Sequence, residues 1–286
     1  MNQITIIGPG LIGASLGLAL KKNNLSKKIL GIDKNKQNLK NALKINAIDE
    51  SHGKIDNKIN ESDIIFLCTP VGTFKKILQK INKFATRKLI VTDVGSVKGI
   101  FNDDFIKNLN NLDLVPGHPI AGTEFSGAIN AKNNLFKGKW FILTPLKKSN
   151  HNNIVKSLWT KIGMKVHFMK IEEHDALMSI TSHLPHLIAF TIVGTAFKLS
   201  YKDKKNLYNF SAGGFKDFTR IGSSDPEMWK DIFLENNKHL LKTLSEFTKD
   251  LKSLKKLIQE NDSKGIIKVL KRTKSIRKKI LDVDKS

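Results

Sequence analysis

The sequence is poor in cysteine, in arginine and in long apolar runs. Cys68 is the only cysteine among 286 residues, which excludes an internal disulfide and is typical of a reducing cytoplasm. No run of 18 or more apolar residues occurs, so we expect no membrane-spanning segment. The first ten residues, MNQITIIGPG, have no basic stretch ahead of an apolar core, so we expect no signal peptide. These features predict a cytoplasmic protein with no membrane partner.

Positive charge is abundant, but it comes almost entirely from lysine. The formal net charge is +23, which raises the possibility of a nucleic-acid partner. The lysines are scattered over every segment, whereas arginine, the better reader of bases and phosphates, occurs only at Arg87, Arg220, Arg272 and Arg277. We therefore predict no nucleic-acid partner and a surface that attracts small anions.

The N-terminal stretch carries a dinucleotide-binding fingerprint. A predicted strand, Gln3–Ile7, leads into G-x-G-x-x-G and then into an apolar helix, which is the context that this motif requires. Its glycines allow a tight turn, a close approach to the pyrophosphate and close packing of helix on strand. We expect the phosphates to contact the N–H groups at the helix N-terminus, with the cofactor site formed by Gly8, Gly10, Leu11, Ile12 and Gly13.

An acidic residue at the end of the second predicted strand indicates which cofactor is bound. The strand Lys28–Ile32 is followed by Asp33, whose carboxylate would accept hydrogen bonds from the ribose hydroxyls and repel a 2′-phosphate. NAD is therefore the predicted cofactor. Lys34 and Lys36 leave some room for NADP.

Strand-like and helical segments alternate up to about residue 170. The further predicted strands are Asp63–Leu67, Leu89–Thr92, Asp113–Val115, Trp140–Leu143 and Lys165–Met169. Helical periodicity lies between them, as in Thr73–Phe84, so we predict an α/β fold with a doubly wound, Rossmann-type sheet over residues 1–170. Ligands bind at the carboxyl ends of strands in such sheets. Thr69, Pro70, Ser96 and His118 follow predicted strands and are candidate ligand-binding residues.

The segment Gly117–Gly127, GHPIAGTEFSG, concentrates polar groups in a stretch that predicts neither helix nor strand. Its His118 has an ordinary pKa near neutrality and is the candidate for moving a proton. A glycine-rich connection whose histidine caps a neighbour remains the alternative. For Ser96, an alternative role is the N-cap of a helix beginning near Val97.

Residues 171–286 predict an all-helical second domain. Its first helix places His183 and His186 on one face, and we expect Pro185 to kink the helix between them. No cysteine or carboxylate completes a metal-ligand set at suitable spacing, so no metal site is predicted. Ordinary core or surface histidines remain an alternative interpretation of both.

A glycine pair precedes Asp217 and Arg220 in the segment 211–222, which is typical of a ligand-binding loop. The planar guanidinium of Arg220 suits a substrate carboxylate, with a surface ion pair to Asp217 as the alternative. Asp225 and Pro226 predict a helix N-terminus, and we expect that helix to continue to about Glu260. A basic amphipathic helix is predicted from Ser263 to Leu281, packing on its own domain or on a second copy, or else binding a membrane or an acidic partner.

Taken in order, the motifs GPGLIGASL, TDVGSVK, GHPIAGTEFSG, SHLPH and GGFKDFTRIGSSDPEMW resemble those of the prephenate/arogenate dehydrogenase family of tyrosine biosynthesis. The resemblance implies an NAD-binding domain followed by a helical dimerisation domain, a homodimer, and a site in the cleft between the domains. It also implies oxidative decarboxylation of prephenate to 4-hydroxyphenylpyruvate, or of arogenate to tyrosine.

The resemblance further implies roles for individual side chains. His118 would contact the ring hydroxyl, Ser96 would align that histidine with the nicotinamide, and Arg220 would bind a substrate carboxylate. The other candidate substrate contacts are His186, His183, Glu124, Asp217 and Thr123, with Glu124 and Asp217 joined to Arg220 in an ionic group. Two alternatives stay open: another two-domain Rossmann dehydrogenase acting on a hydroxy acid or imine, and a nucleic-acid-binding protein with a vestigial Rossmann fold.

Overall fold

The structure, a computed structural model, describes residues 1–199 and 204–283. The strands of this part of the chain are β1 Gln3–Ile7, β2 Lys28–Ile32, β3 Glu50–His52, β4 Ile64–Leu67, β5 Leu89–Asp93, β6 Leu112–Val115, β7 Gly117–Pro119, β8 Trp140–Leu143 and β9 Lys165–Phe168. The helices of the first 170 residues are α1 Leu11–Lys22, α2 Lys36–Lys44, α3 Phe74–Phe84, α4 Asp103–Ile106 and α5 Asn150–Ile162. The later helices are α6 Ile171–Met178, α7 Leu184–Leu199, α8 Lys204–Phe210, α9 Gly213–Thr219, α10 Pro226–Glu235, α11 Asn237–Gln259 and α12 Ser263–Val283.

A six-stranded parallel sheet in the order β3-β2-β1-β4-β5-β6 forms the centre of the N-terminal part. Its inner strands are apolar on both faces because each face is covered. Ile4, Ile6 and Phe66 belong to one buried cluster, while Ile65 and Leu67 belong to the other. The strand order reverses between β1 and β4, as in a doubly wound dinucleotide-binding sheet, so the predicted fold class is confirmed.

Two predicted strands belong to a different sheet. β7, β8 and β9 form a separate three-stranded sheet, in which β7 is antiparallel to β8 and β9 is parallel to it. The expectation that Gly117–Pro119 would be neither helix nor strand is therefore wrong. The close pairing is possible because Gly117 has no side chain, since a Cβ there would lie 2.2 Å from the ring of Phe141.

Helix α6 continues into α7 through a π-helical turn over Ser179–His183. The expected irregularity is present, but it precedes Pro185 and does not fall between His183 and His186. The whole stretch Ile171–Leu199 is long and apolar enough to cross a membrane by length and composition alone. A core helix of a water-soluble protein meets the same criterion, and His174 and Asp175 of this stretch are buried. The absence of a membrane partner stays a prediction.

The predicted N-terminus at Asp225 is confirmed, because its side chain accepts a hydrogen bond from the Met228 N–H at 2.8 Å. The single helix predicted to continue to Glu260 is wrong, since α10 ends before Asn236 and α11 begins after it. The Asn236 amide donates to the backbone oxygen of Asp175 and contacts His183 Nδ1, which fixes the break.

The chain divides into two compact units, Met1–Asn237 and Lys238–Ser286. The first contains both sheets and helices α1 to α10. The described part of the second contains most of α11 and all of α12, whose exposed apolar side chains include Leu251, Ile258, Leu270, Ile276 and Ile280. The domain boundary near residue 170, predicted from the change in sequence pattern, stays a prediction.

Candidate active site

The turn between β1 and α1 has the geometry of a phosphate-binding turn. Gly8 has φ +84°, and a Cβ there would lie 2.6 Å from Thr69, so both conformation and packing require glycine. A Cβ at Gly13 would lie 2.5 Å from the carbonyl oxygen of Gly8, so helix and turn are in direct contact. A Cβ at Gly10 would meet nothing within 4 Å. The turn therefore leaves open space beside Gly10, where a pyrophosphate could approach the backbone.

The other predicted cofactor contacts lie at the carboxyl ends of strands β2 and β4. Asp33 follows β2, and its carboxylate accepts hydrogen bonds from the N–H of Asn35 at 2.8 Å and the side chain of Asn38 at 3.2 Å. Thr69 and Pro70 follow β4, beside Gly8, and the Thr69 hydroxyl lies 2.8 Å from that of Thr73. Since a carboxylate has about four acceptor positions, Asp33 keeps capacity for ribose hydroxyls.

The backbone of His118 is fixed by a buried ion pair. Lys98 and Asp93 are 0% and 1% exposed and form a salt bridge. Asp93 also accepts the Gly117 N–H at 3.1 Å, and Lys98 Nζ donates to the Gly117 carbonyl oxygen at 2.7 Å. Burial raises the pKa of Asp93 and lowers the pKa of Lys98, and their mutual attraction opposes both shifts. Both backbone polar groups of Gly117, the residue before His118, are therefore bound.

The ring of His118 is fixed from a second direction. Its Nδ1 lies 2.9 Å from Nε2 of His174, whose Nδ1 lies 2.7 Å from Asp175 Oδ1. Asp175 also accepts the backbone N–H groups of Lys98 at 2.9 Å and Gly99 at 2.7 Å. Within residues 1–199 and 204–283, His118 Nε2 has no hydrogen-bonding partner. This nitrogen is available to a ligand.

The electrostatic surroundings keep His118 neutral. Burial lowers the pKa of His118 well below its usual value, and the nearby His174, Lys98 and His183 lower it further. Burial also lowers the pKa of His174, although the hydrogen bond to Asp175 opposes this shift. A neutral imidazole can accept a proton near pH 7, whereas an imidazolium cannot.

Ser96 and His183 lie together beside this cluster. Burial lowers the pKa of His183 to about 4, and a contact with the Ser96 backbone opposes the shift. His183 is fully buried, and its Nδ1 lies 3.0 Å from the side-chain nitrogen of Asn236. Ser96 does not cap a helix at Val97, because α4 begins only at Asp103 and is capped by Asn102.

His186 and Arg220 lie further along the site. The His186 ring stacks on Trp229 with a centroid distance of 3.7 Å. Burial lowers the pKa of His186, and the charge of Arg220 adds to this effect. Arg220 Nη1 donates to Glu124 Oε2 at 3.0 Å, six residues after His118. Arg220 of the helical part is therefore bound to the segment that follows His118.

Two of the predicted substrate contacts are not joined to this group. In the described residues no ion pair links Asp217 to Arg220, because Arg220 pairs with Glu124. Asp217 Oδ2 lies instead near Gly213, within its own helix. Thr123 accepts the Phe125 N–H at 3.3 Å. The ionic group that the resemblance implies is thus present between Arg220 and Glu124, but Asp217 is outside it.

Four residues of the cluster were missed at the level of sequence: Asp93, Lys98, His174 and Asp175. Two features of the sequence could have pointed to them: an adjacent His-Asp pair early in a helix, and a lysine in a short polar segment after a buried strand. Across the described ranges, no group of three His, Cys, Asp or Glu side chains could hold a metal ion.

Comparison with known families matches nearly the whole chain. A family model described as "Prephenate dehydrogenase, nucleotide-binding domain" matches residues 16–168. A second, described as "Prephenate dehydrogenase, dimerization domain", matches residues 170–272.

Individual relatives agree with the family models. The prephenate dehydrogenase of Bacillus subtilis is 34% identical over 97% of this chain and 76% of its own length. The cyclohexadienyl dehydrogenase of Zymomonas mobilis is 33% identical over 96% of this chain and 95% of its own. Among solved structures, the prephenate dehydrogenase of A. aeolicus in complex with hydroxyphenyl propionate and NAD+ is 38% identical, with a TM-score of 0.90 and 98% coverage of both chains.

Proposed function

The chain belongs to the prephenate dehydrogenase family, and we propose that it oxidatively decarboxylates prephenate to 4-hydroxyphenylpyruvate with NAD+. The observation that carries this proposal is a neutral histidine whose Nδ1 is bound and whose Nε2 has no partner in the described residues. His118 follows the sheet that carries the glycine turn. The guanidinium of Arg220 is bound by Glu124, in the segment that follows His118. An anionic ring with one hydroxyl group fits this combination of groups.

NAD+ supplies the acceptor for the hydride that leaves ring carbon 4. The turn at Gly8, Gly10 and Gly13 would hold its phosphates, and Asp33 would accept hydrogen bonds from a ribose. The open space beside Gly10 supports this assignment. The carboxylate of Asp33 would disfavour a 2′-phosphate, so NAD+ is the expected cofactor.

His118 would accept and return one proton. As the C4–H bond breaks, the electrons of the O–H bond form a carbonyl group, and the hydroxyl proton passes to Nε2 of His118. Loss of CO2 from ring carbon 1 then sends the C–C bonding pair into the ring, and the resulting phenolate oxygen takes the proton back. A hydroxyl on a carbon that is losing hydride becomes strongly acidic, so a base with a lowered pKa suffices.

The remaining side chains would bind and orient the substrate. Arg220 suits a carboxylate, since a guanidinium binds a carboxylate through two parallel hydrogen bonds, and Glu124 holds it in place. His186 is positioned by Trp229 near Arg220 and would contact the same end. His183 and Ser96 lie nearer to His118 and would line the opposite side.

We further propose a cytoplasmic homodimer formed through the helical part. The dimerization model matches residues 170–272, and α7 exposes Ile192, Val193 and Phe197. Clusters of exposed apolar side chains on helices are typical of protein interfaces. Light scattering should give twice the chain mass of 32.1 kDa, and a monomer at micromolar concentration would contradict this assembly.

Steady-state kinetics test the proposed activity directly. We expect NADH formation and an aromatic product with prephenate, and the same assay with arogenate measures whether the ammonium analogue is also accepted. NADP+ serves as the cofactor control and should react more slowly. A chain that oxidises a hydroxy acid or imine, but neither cyclohexadienyl substrate, would overturn the proposal.

A further inference from the structure

We propose that His174 and Asp175 are positioning residues for proton transfer, forming a relay Asp175–His174–His118 that selects which nitrogen of His118 is basic. The inference rests on the proposed function, in which His118 accepts the hydroxyl proton. The two residues lie at the start of α6, and neither follows a strand of the parallel sheet.

The contacts form one chain that leads from the ring of His118 through the ring of His174 to the carboxylate of Asp175. His118 Nδ1 lies 2.9 Å from His174 Nε2, and His174 Nδ1 lies 2.7 Å from Asp175 Oδ1. The two imidazoles meet edge to face, with an interplanar angle of 72°. His174 is fully buried and Asp175 is 4% exposed, so water does not compete for these hydrogen bonds.

The carboxylate at the end of the chain is ionised. Burial alone would raise the pKa of Asp175, but hydrogen bonds from His174, Lys98 and Gly99 outweigh it and lower the pKa. An ionised carboxylate only accepts hydrogen bonds, so His174 Nδ1 must carry a proton. Neutral His174 then accepts at Nε2, which requires a proton on His118 Nδ1. The lone pair of His118 therefore lies on Nε2, the nitrogen without a partner in the described residues.

The same chain stabilises the charge that forms during the reaction. When His118 takes the hydroxyl proton at Nε2, its Nδ1–H already donates to His174. No proton moves beyond His118, because the phenolate reclaims it after CO2 leaves. The negative charge of Asp175, two hydrogen bonds away, then stabilises the His118 imidazolium against the positive charge of Lys98.

The variant Asp175→Asn tests the relay. The Asp175 carboxylate accepts hydrogen bonds from His174, Lys98 and Gly99, whereas asparagine has one oxygen and an N–H₂ group that cannot accept. At least one of these donors then loses its acceptor, so the position of the proton on His174, and hence on His118, is no longer fixed. We expect kcat for prephenate to fall by up to about 10⁴-fold, the loss that follows when the orienting carboxylate of a Ser-His-Asp triad becomes an amide, with little change in KM or NAD+ affinity. The matched control is Asp113→Asn, which alters another His-carboxylate pair, His151–Asp113, and should keep kcat.

Nitrogen-15 NMR of labelled histidine gives a readout that does not depend on turnover. His118 should carry its proton on Nδ1 in the wild-type protein and show a mixture of tautomers in Asp175→Asn. A wild-type His118 protonated on Nε2, or an Asp175→Asn variant with unchanged kcat, would overturn the relay. A wild-type chain that forms no NADH from prephenate would instead refute the proposed function, and the tautomer would still be measurable.

A second pair of variants covers the case in which Asp175→Asn does not fold. His174→Gln keeps a carbonyl oxygen that can accept from His118 Nδ1, whereas His174→Phe fills the space without an acceptor. The relay predicts that the Gln variant keeps at least about tenfold more kcat than the Phe variant. Equal kcat values in two folded variants would show that His174 only fills space.

Discussion

Replacing Lys98 by methionine should destabilise the protein strongly, because it leaves the charge of Asp93 buried without its partner. Lys98 and Asp93 are almost completely inaccessible to water. Removing one partner of a buried ion pair costs about 3–5 kcal/mol, because the remaining charge keeps its desolvation penalty. The Gly117 carbonyl also loses the hydrogen bond from Lys98, so the lower end of that range is a minimum.

Urea unfolding followed by tryptophan fluorescence measures this loss. Trp159 is fully buried and stacks on Phe141 at 4.4 Å, so it reports on the core beneath Gly117. With a slope of about 2–3 kcal/mol per molar urea, the midpoint should fall by about 1–2.5 M. Lys76→Met, at an exposed lysine of α3, is the matched control and should leave the midpoint almost unchanged.

The ion pair of Lys98 and Asp93 can also be tested by a double-mutant cycle and by the pH dependence of stability. Asp93→Asn combined with Lys98→Met should cost less than the sum of the single changes, by about 2 kcal/mol or more. In Lys98→Met alone the pKa of Asp93 rises further above its unfolded value of about 3.9. The folded state then retains a proton that the unfolded state releases. The loss of unfolding free energy relative to the wild-type protein is therefore small at acid pH and grows as the pH rises. Additive single changes, or a deficit that shrinks as the pH rises, would refute the reasoning.

Three further outcomes follow from the site. His118→Asn should retain NAD+ binding by calorimetry and lose about 10²- to 10⁴-fold in kcat; near-normal turnover would remove His118 from its role. Arg220→Ala should raise the KM for prephenate more than it lowers kcat, and the reverse pattern would argue against carboxylate binding. Because burial lowers the pKa of His118, the rate should fall only when the pH drops well below about 6.5, where the imidazole becomes charged; an acid limb at or above that pH would contradict a buried neutral base.

The parallel sheet was predictable because its strands are apolar on both faces and are followed by glycine or polar turns. β3 was missed because the edge strand Glu50–His52 has no apolar residue. β7 was missed because its pairing with β8 depends on the close approach of Gly117 to the ring of Phe141, which is far away in sequence. The interruption at Asn236 depends on hydrogen bonds to Asp175 and His183. Local patterns do not encode such long-range contacts.

The candidate site was predictable in its residue types but not in its connections. His118, Arg220 and Glu124 are in motifs whose composition already points to binding or proton transfer. The residues that fix His118 lie 20 to 57 positions away in sequence and are ordinary in type. A His-Asp pair in a helix and a lysine after a strand are common, and only burial and distance distinguish these from surface pairs.

His118, the proposed proton acceptor, and the segment that follows β4 are both held by helices that follow residue 170. Asp175 of α6 binds the backbone of Lys98 and Gly99, and through His174 it fixes the ring of His118. Asp231 of α10 accepts the N–H of Gly72, two residues after Pro70, at 3.2 Å. The glycine turn packs on Thr69 within the part that holds the parallel sheet, whereas the orientation of His118 requires α6. This difference explains why the nucleotide-binding motif can be recognised in a short stretch of sequence. The orientation of His118, in contrast, depends on contacts between residues that lie before and after residue 170.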